Sequence, residues 1–160
     1  MIIKPPNRIP NLHPSTKRIF LAGSIEMGKA VDWQTEITER LSHCIKNVAV
    51  CNPRRDDWDS SWNQSINNPA FYDQVTWELE HIEKADLVVF YFDPNTMSPI
   101  TLLELGLCAG LKKHAVVYCP EPYWRKGNVD IVCERYGFSV VNSMDDLATY
   151  VNAIFWRKVQ

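Results

Sequence analysis

Apolar and polar positions along the chain alternate in blocks that switch between two periods. The run RIFLAG (18–23) is short, β-rich and closed by Gly, the pattern of a buried strand. In AVDWQTEITERLSHCI (30–45), Trp33, Ile37, Leu41 and Cys44 recur at helical spacing and predict an amphipathic helix. NVAVCNP (47–53) reads as a second strand stopped by Pro, and FYDQVTWELEHIEKA (71–85) as a helix with Val75, Leu79 and Ile82 on one face. DLVVFYFD (86–93) is continuously apolar, as a strand covered on both faces of a parallel sheet must be. SPITLLELGLCAGLKK (98–113) follows, with Ser98 placed as N-cap and Pro99 as first helical residue. A strand AVVYCP (115–120), a short helix VDIVCERYG (129–137), a strand FSVV (138–141) and a closing helix SMDDLATYVNAIFWRKV (143–159) complete the pattern. Ser143 suits the cap of that last helix, and Asp145 and Asp146 suit its positive end.

This rhythm predicts one α/β domain over residues 17–160, a doubly wound five-stranded parallel sheet of flavodoxin-like strand order 2-1-3-4-5. Residues 1–16, rich in Pro and Asn, read as an extended N-terminal arm, either disordered or docked on a partner subunit. Ligands of such sheets sit at the carboxyl ends of the strands, which singles out residues 23–28, 52–62, 93–98 and 120–128.

Composition narrows the classes of function. A net charge of -2 over 160 residues gives no basic footprint for a nucleic-acid polymer and no polybasic patch for a membrane surface. No apolar run approaches membrane-spanning length, and the Pro-rich start lacks the apolar core of a signal peptide, so a cytoplasmic location is expected. Five cysteines without CxxC spacing read as reduced thiols, and four scattered histidines give no metal site.

The candidate chemistry lies in carboxylates. Glu104 falls in the second turn of its helix among Ile100, Thr101, Leu107 and Cys108, with no cation nearer at helical spacing than Lys112. A buried carboxylate must be paired, protonated or open to a cleft. It is therefore either hydrogen-bonded to a neighbouring loop or catalytic. Glu78 lies at the edge of an apolar helical face, and two carboxylates meeting in a crevice are what glycosidic cleavage uses. Asp93, at the end of the central strand, is a candidate substrate contact. The turn AGSIEMG (22–28) has neither a Walker nor a GxGxxG spacing, and Glu26 would repel an anion there. The long polar loop 54–70 carries Trp58 and Trp62 after Arg54 and Arg55. Its tryptophans either stack on a ligand or pin the loop, and its arginines either meet the ligand or pair with Asp56 and Asp57. Tyr123, Trp124 and Arg125 suit a subunit contact near the site.

RIFLAGSI, NPRRDDW, WELEHIEKADLVVFYF and above all SPITLLELGL resemble the nucleoside 2-deoxyribosyltransferase-like superfamily, which includes 2'-deoxynucleoside 5'-phosphate N-glycosidases. The resemblance runs from about Lys17 to Gly137. It implies a flavodoxin-like fold and a retaining enzyme without metal or redox cofactor. The substrates implied are a deoxynucleoside or deoxynucleotide and a free nucleobase. It makes Glu104 the nucleophile on C1' and gives Glu78 the base contact and its proton, where relatives carry Asp. Ser98, six residues before Glu104, matches the hydrolases, as do Gly23, Ser24 and Ile25; Glu26 stands where the hydrolases have a phosphate-binding Arg. Phe20 replaces the Tyr that orients the nucleophile. Asn128 matches a polar residue supplied to a neighbouring subunit's site, so a homo-oligomer is implied. Three activities fit this reading: base exchange, hydrolysis of a nucleoside or its 5'-monophosphate, and nucleotide binding without turnover.

Overall fold

The structure is a computed structural model that describes residues 1–8, 10–26, 30–42 and 47–156. Six strands form one parallel sheet: β1 (Ile2–Ile3), β2 (Lys17–Gly23), β3 (Val48–Cys51), β4 (Leu87–Tyr91), β5 (Ala115–Tyr118) and β6 (Ser139–Val141). Their order is β1-β3-β2-β4-β5-β6. The helices are α1 (Trp33–Ser42), α2 (Pro69–Lys84), α3 (Pro99–Gly110), α4 (Lys126–Tyr136) and α5 (Met144–Trp156).

The strands from β2 onwards take the flavodoxin-like order expected from the sequence, but the sheet has six strands and not five. The arm supplies the extra one. Ile2 and Ile3 pair with Val50 and Cys51, and Asn52 N–H donates to the Ile3 carbonyl at 2.9 Å. Two residues are too few to show a period, so this edge strand left no pattern to read.

Alternation along β2 divides the core. Ile19 and Leu21 pack with Trp33 and Ile37 of α1 and Leu147 and Val151 of α5. Phe20 and Ala22 face the other way, with Trp77 and Ile82 of α2, Leu105 and Cys108 of α3, and Val129 and Cys133 of α4. Leu87, Val88, Val89 and Phe90 are wholly buried, as a central parallel strand requires.

Element ends differ from expectation in ways that matter for the site. Helix α2 begins at Pro69, because the Asn68 side chain accepts the N–H groups of Ala70 and Phe71. Its buried face is Gln74, Trp77, His81 and Ile82, whereas Leu79 is exposed. The arm lies along this side, where the Trp77 indole donates to the Asn7 carbonyl at 2.9 Å. Helix α4 starts at Lys126, so Asn128 is helical. The expected continuations at 43–45 and 157–159, with Cys44, and turn positions 27 and 28 lie outside the described residues.

Cys51, Cys108, Cys119 and Cys133 are buried free thiols, each pushed up to about 11 or 12 chiefly by burial. Among the described residues, no helix is long and apolar enough to cross a membrane, and no His, Cys, Asp and Glu cluster could hold a metal ion.

Candidate active site

Strands β2 and β4 end side by side, and Gly23 allows it. A Cβ there would come within 2.5 Å of the Trp33 ring and 2.6 Å of the Tyr91 carbonyl. Trp33 in turn donates from its indole to the Ser24 carbonyl at 3.2 Å.

Just beyond, three buried hydroxyls meet: Ser24, Thr96 and Ser98. Asp93 N–H donates to Ser24 Oγ at 2.9 Å, Ser24 Oγ contacts Ser98 Oγ, Ser98 Oγ lies 2.7 Å from Thr96 Oγ1, and Thr96 donates to the Asp93 carbonyl at 2.9 Å. One arrangement of protons that satisfies this circuit is Asp93 N–H to Ser24, Ser24 to Ser98, Ser98 to Thr96 and Thr96 to Asp93 C=O, and Thr96 Oγ1 also lies 3.0 Å from Ser24 Oγ. Every hydroxyl then donates once, and the chain of bonds is mutually polarising. The Asp93 carboxylate is itself committed to the loop, accepting Asn95 N–H at 2.9 Å and Val31 N–H at 3.1 Å.

Ser98 stands at the N-cap of α3, but with φ at 45° its backbone is left-handed and its side chain makes no capping bond. Glu26, from the turn after β2, holds the two amides that lead into the helix. One of its oxygens, Oε1, accepts Met97 N–H at 2.6 Å and Ser98 N–H at 3.0 Å. The other side of the Met97 peptide is held as well: its carbonyl accepts the Tyr123 hydroxyl at 2.8 Å and the Trp124 indole N–H at 3.1 Å.

Glu104 is 8% exposed on α3, and no described residue hydrogen-bonds its carboxyl. Burial first, and then the charge of Glu78, push it well above the usual carboxylate range. Glu78, half-buried on α2, is pushed up to about 7 by burial, against a lowering hydrogen bond from Gln74. Gln74 Nε2 donates to Glu78 at 2.7 Å and to the Pro53 carbonyl at 3.1 Å, tying the pair to the loop after β3. Two carboxyls with raised proton affinity, one buried and unbonded and one held by an amide, can divide nucleophile and acid–base work.

The remaining candidates scatter. Phe20 is wholly buried and packs on Trp77, with ring centroids 6.4 Å apart. Ile25 is half-buried and accepts Ala30 N–H. Trp58 and Trp62 pack on one another at 5.1 Å, and Arg55 lies 5.0 Å over Trp62 while forking onto Asp57. Arg54 bonds Gln34 and the carbonyls of Ala30 and Val31. Both arginines are thus engaged within the chain. Asn128 is exposed and lines a cavity of about 340 Å³ between α3 and α4, with Leu102, Gly106 and Arg125. Gln74 and Thr96 were not singled out by the sequence. Gln74 had a signal, standing four residues before Glu78 on one helix. Thr96 had none.

The family described as nucleoside 2-deoxyribosyltransferase-like matches residues 16–123 of the 160. No curated protein sequence matches the chain. Among solved structures, a conserved protein from Enterococcus faecalis V583 is similar at 15% identity and TM-score 0.64, over 88% of this chain and 99% of that one. The Clostridium botulinum CMP N-glycosidase BcmB is similar at 17% identity and TM-score 0.52, over 86% and 99%. At these identities the likeness is one of fold.

Proposed function

The chain belongs to the nucleoside 2-deoxyribosyltransferase-like family, and on that premise we propose that it cleaves the N-glycosidic bond of deoxynucleosides through Glu104 and passes the sugar to another nucleobase. The observation that carries this reading is the Glu104 carboxyl: buried, without a hydrogen-bond partner among the described residues, and electrostatically coupled to Glu78. A structural glutamate at such depth is expected to be bonded; one kept for attack on carbon is expected to be free.

In the proposed first step an ionised Glu104 oxygen attacks C1', the C1'–N bond breaks, and its electron pair leaves on the base nitrogen. Glu78 delivers a proton to the departing base. In the second step a nitrogen of the incoming base attacks C1', the C1'–O bond to Glu104 breaks, and the incoming base's proton returns to Glu78. Two inversions retain configuration at C1' through oxocarbenium-like transition states. Catalysis requires an ionised Glu104 beside a protonated Glu78. Exposed Ile100, Leu103 and Ile131 on α3 and α4 support a homo-oligomer, in which Asn128 would serve a neighbouring site.

Ser98 favours a second reading, an N-glycosidase in which water takes the place of the incoming base. Phe20, which brings no hydroxyl to the nucleophile, favours a third, a nucleotide-binding module without turnover.

Chromatography of base release and base exchange separates them. Each deoxynucleoside and its 5'-monophosphate are incubated with and without a second free base, beside Glu104→Ala. A new deoxynucleoside that needs both the second base and Glu104 supports transfer. Free base without an acceptor supports hydrolysis. No turnover of any deoxynucleoside or 5'-monophosphate contradicts both.

A further inference from the structure

Alternation along β2 puts Arg18 on the same face as Phe20 and Ala22, the face that α2 covers. There the N-terminal arm and α2 do not close on one another. The arm is anchored by the pairing of β1 with β3 and held midway by the bond from Trp77 to the Asn7 carbonyl. Between the two lies a cavity of about 690 Å³, lined by Pro5, Pro6 and Leu12 of the arm, by Trp77 and His81 of α2, and by Arg18.

Two of its lining groups lack partners. The Arg18 guanidinium makes no hydrogen bond or ion pair among the described residues; its backbone N–H alone is engaged, donating to Asp86. The other is His81, which is 5% exposed. Its Nδ1 lies 2.6 Å from the Trp77 carbonyl. A carbonyl only accepts, so the proton of the neutral ring sits on Nδ1 and Nε2 keeps a lone pair. Nothing donates to that buried Nε2. Stacking on Trp77, with ring centroids 3.8 Å apart, fixes the ring in place. Burial holds His81 below the usual histidine range, and the positive charges of Lys84 and Arg18 add to the effect. The lining is also basic. It carries Arg8, Arg18, Arg55 and Lys84 against Asp73 and Glu80, in a chain whose net charge is -2. Lys84 is paired with Glu80 and Arg55 with Asp57, which leaves Arg18 as the cation with a free fork inside the cavity.

We propose that this cavity is a second ligand site, separate from the Glu104 and Glu78 pair, that takes a phosphate group: Arg18 binds its charge, and His81 Nε2 accepts a hydroxyl proton from the same ligand. An anion with a hydroxyl donor satisfies both orphaned groups at once. Two sources share this chemistry. Hydrogenphosphate brings the charge and its own P–OH. A phosphorylated polyol brings the charge on its phosphate and the donor on carbon, and a cavity of small-molecule size favours it. The place is distinct. Arg18 is the second residue of β2, and five residues of strand, roughly 17 Å, separate it from Gly23 at the end where the hydroxyl circuit lies. Occupancy of the cavity is independent of the N-glycosidic reading above.

The test uses the whole protein. NMR signals of the Trp77 indole N–H and the His81 ring are followed during titration with inorganic phosphate, glycerol 3-phosphate and glycerol, for the wild type, Arg18→Gln, Arg18→Lys and Glu104→Ala. His81→Phe, which keeps a ring against Trp77, is read at the indole. The expected result is a saturable shift with both phosphates and none with glycerol, unchanged in Glu104→Ala. The Kd rises about tenfold or more in Arg18→Gln, by less in Arg18→Lys, and also rises in His81→Phe. Tighter binding of glycerol 3-phosphate than of phosphate identifies a phosphorylated polyol as the occupant; equal affinities identify phosphate itself. The proposal is overturned if millimolar phosphates leave the signals still, if Arg18→Gln or His81→Phe binds as tightly as wild type, or if the shift disappears in Glu104→Ala.

Discussion

The charge of Glu78, on α2, raises the proton affinity of Glu104, on α3, which burial has already raised. Both carboxyls therefore bind a proton more tightly in the folded chain than in the unfolded one. A group raised in this way contributes stability that is fully present below its unfolded value, near 4.5, and is lost as pH rises through the folded value. Thermal stability of the wild type is expected to fall as pH rises from 4.5 through 7. Glu104→Gln removes the titrating group while keeping its shape. Its melting temperature is expected to lie a few degrees above wild type at pH 8, at roughly 2–4 °C per kcal/mol for a chain of this size, and to depend less on pH. Calorimetry across that range checks this, and a Gln variant less stable than wild type at pH 8 would contradict it.

Catalysis should carry the same signature. If Glu78 gives the leaving base its proton, kcat/KM falls as pH rises above about 7, where Glu78 ionises. Glu78→Gln is expected to lose about 10²–10⁴-fold in rate and to lose that basic limb. A limb near 7 that survives in Glu78→Gln would assign it to another group.

Gln74 acts through Glu78. Its hydrogen bond lowers the proton affinity of Glu78, so Gln74→Leu is expected to shift the basic limb to higher pH. The bond to a charged group is worth about 1.5–3 kcal/mol, which sets the scale of the effect, on the order of tenfold or more in rate. A structural role alone would lower stability and leave the limb in place; the pH profile of kcat/KM distinguishes the two.

Much of this arrangement was legible in the sequence, and the gaps have physical reasons. The unbroken apolar run of β4 announced a strand covered on both faces, and one Glu among leucines announced a carboxyl that needed explaining. What the sequence could not express is contact over long separation. Ser98 read as a cap because Ser before Pro opens helices. The left-handed turn at Ser98 sends its hydroxyl to Ser24 instead, and Glu26, some seventy residues earlier, binds the Met97 and Ser98 amides that lead into the helix. Leu79 read as a core residue because it fits a helical stripe with Val75 and Ile82. The arm against Trp77 turns the buried face towards Gln74 and His81.

The hydroxyl circuit also makes a prediction. Ser98→Ala removes one hydroxyl of the cluster and leaves Ser24 and Thr96 with their mutual contact at 3.0 Å in place of the two contacts to Ser98. The expected cost is about 1–3 kcal/mol. With the circuit already open, a further Ser24→Ala should cost less than it does alone, and a double-mutant cycle by denaturant unfolding measures the difference. Strict additivity would mean the three hydroxyls do not act as one network.

The central claim is that Glu104 forms a bond to the sugar. The most direct test is acid-quenched peptide mass spectrometry of the protein incubated with a deoxynucleoside and no acceptor base. The account predicts a deoxyribosyl adduct on the peptide carrying Glu104, present in wild type, absent in Glu104→Ala and discharged when a second base is added. Base release that persists in Glu104→Ala, with Glu104 unmodified in the wild type throughout turnover, would contradict it.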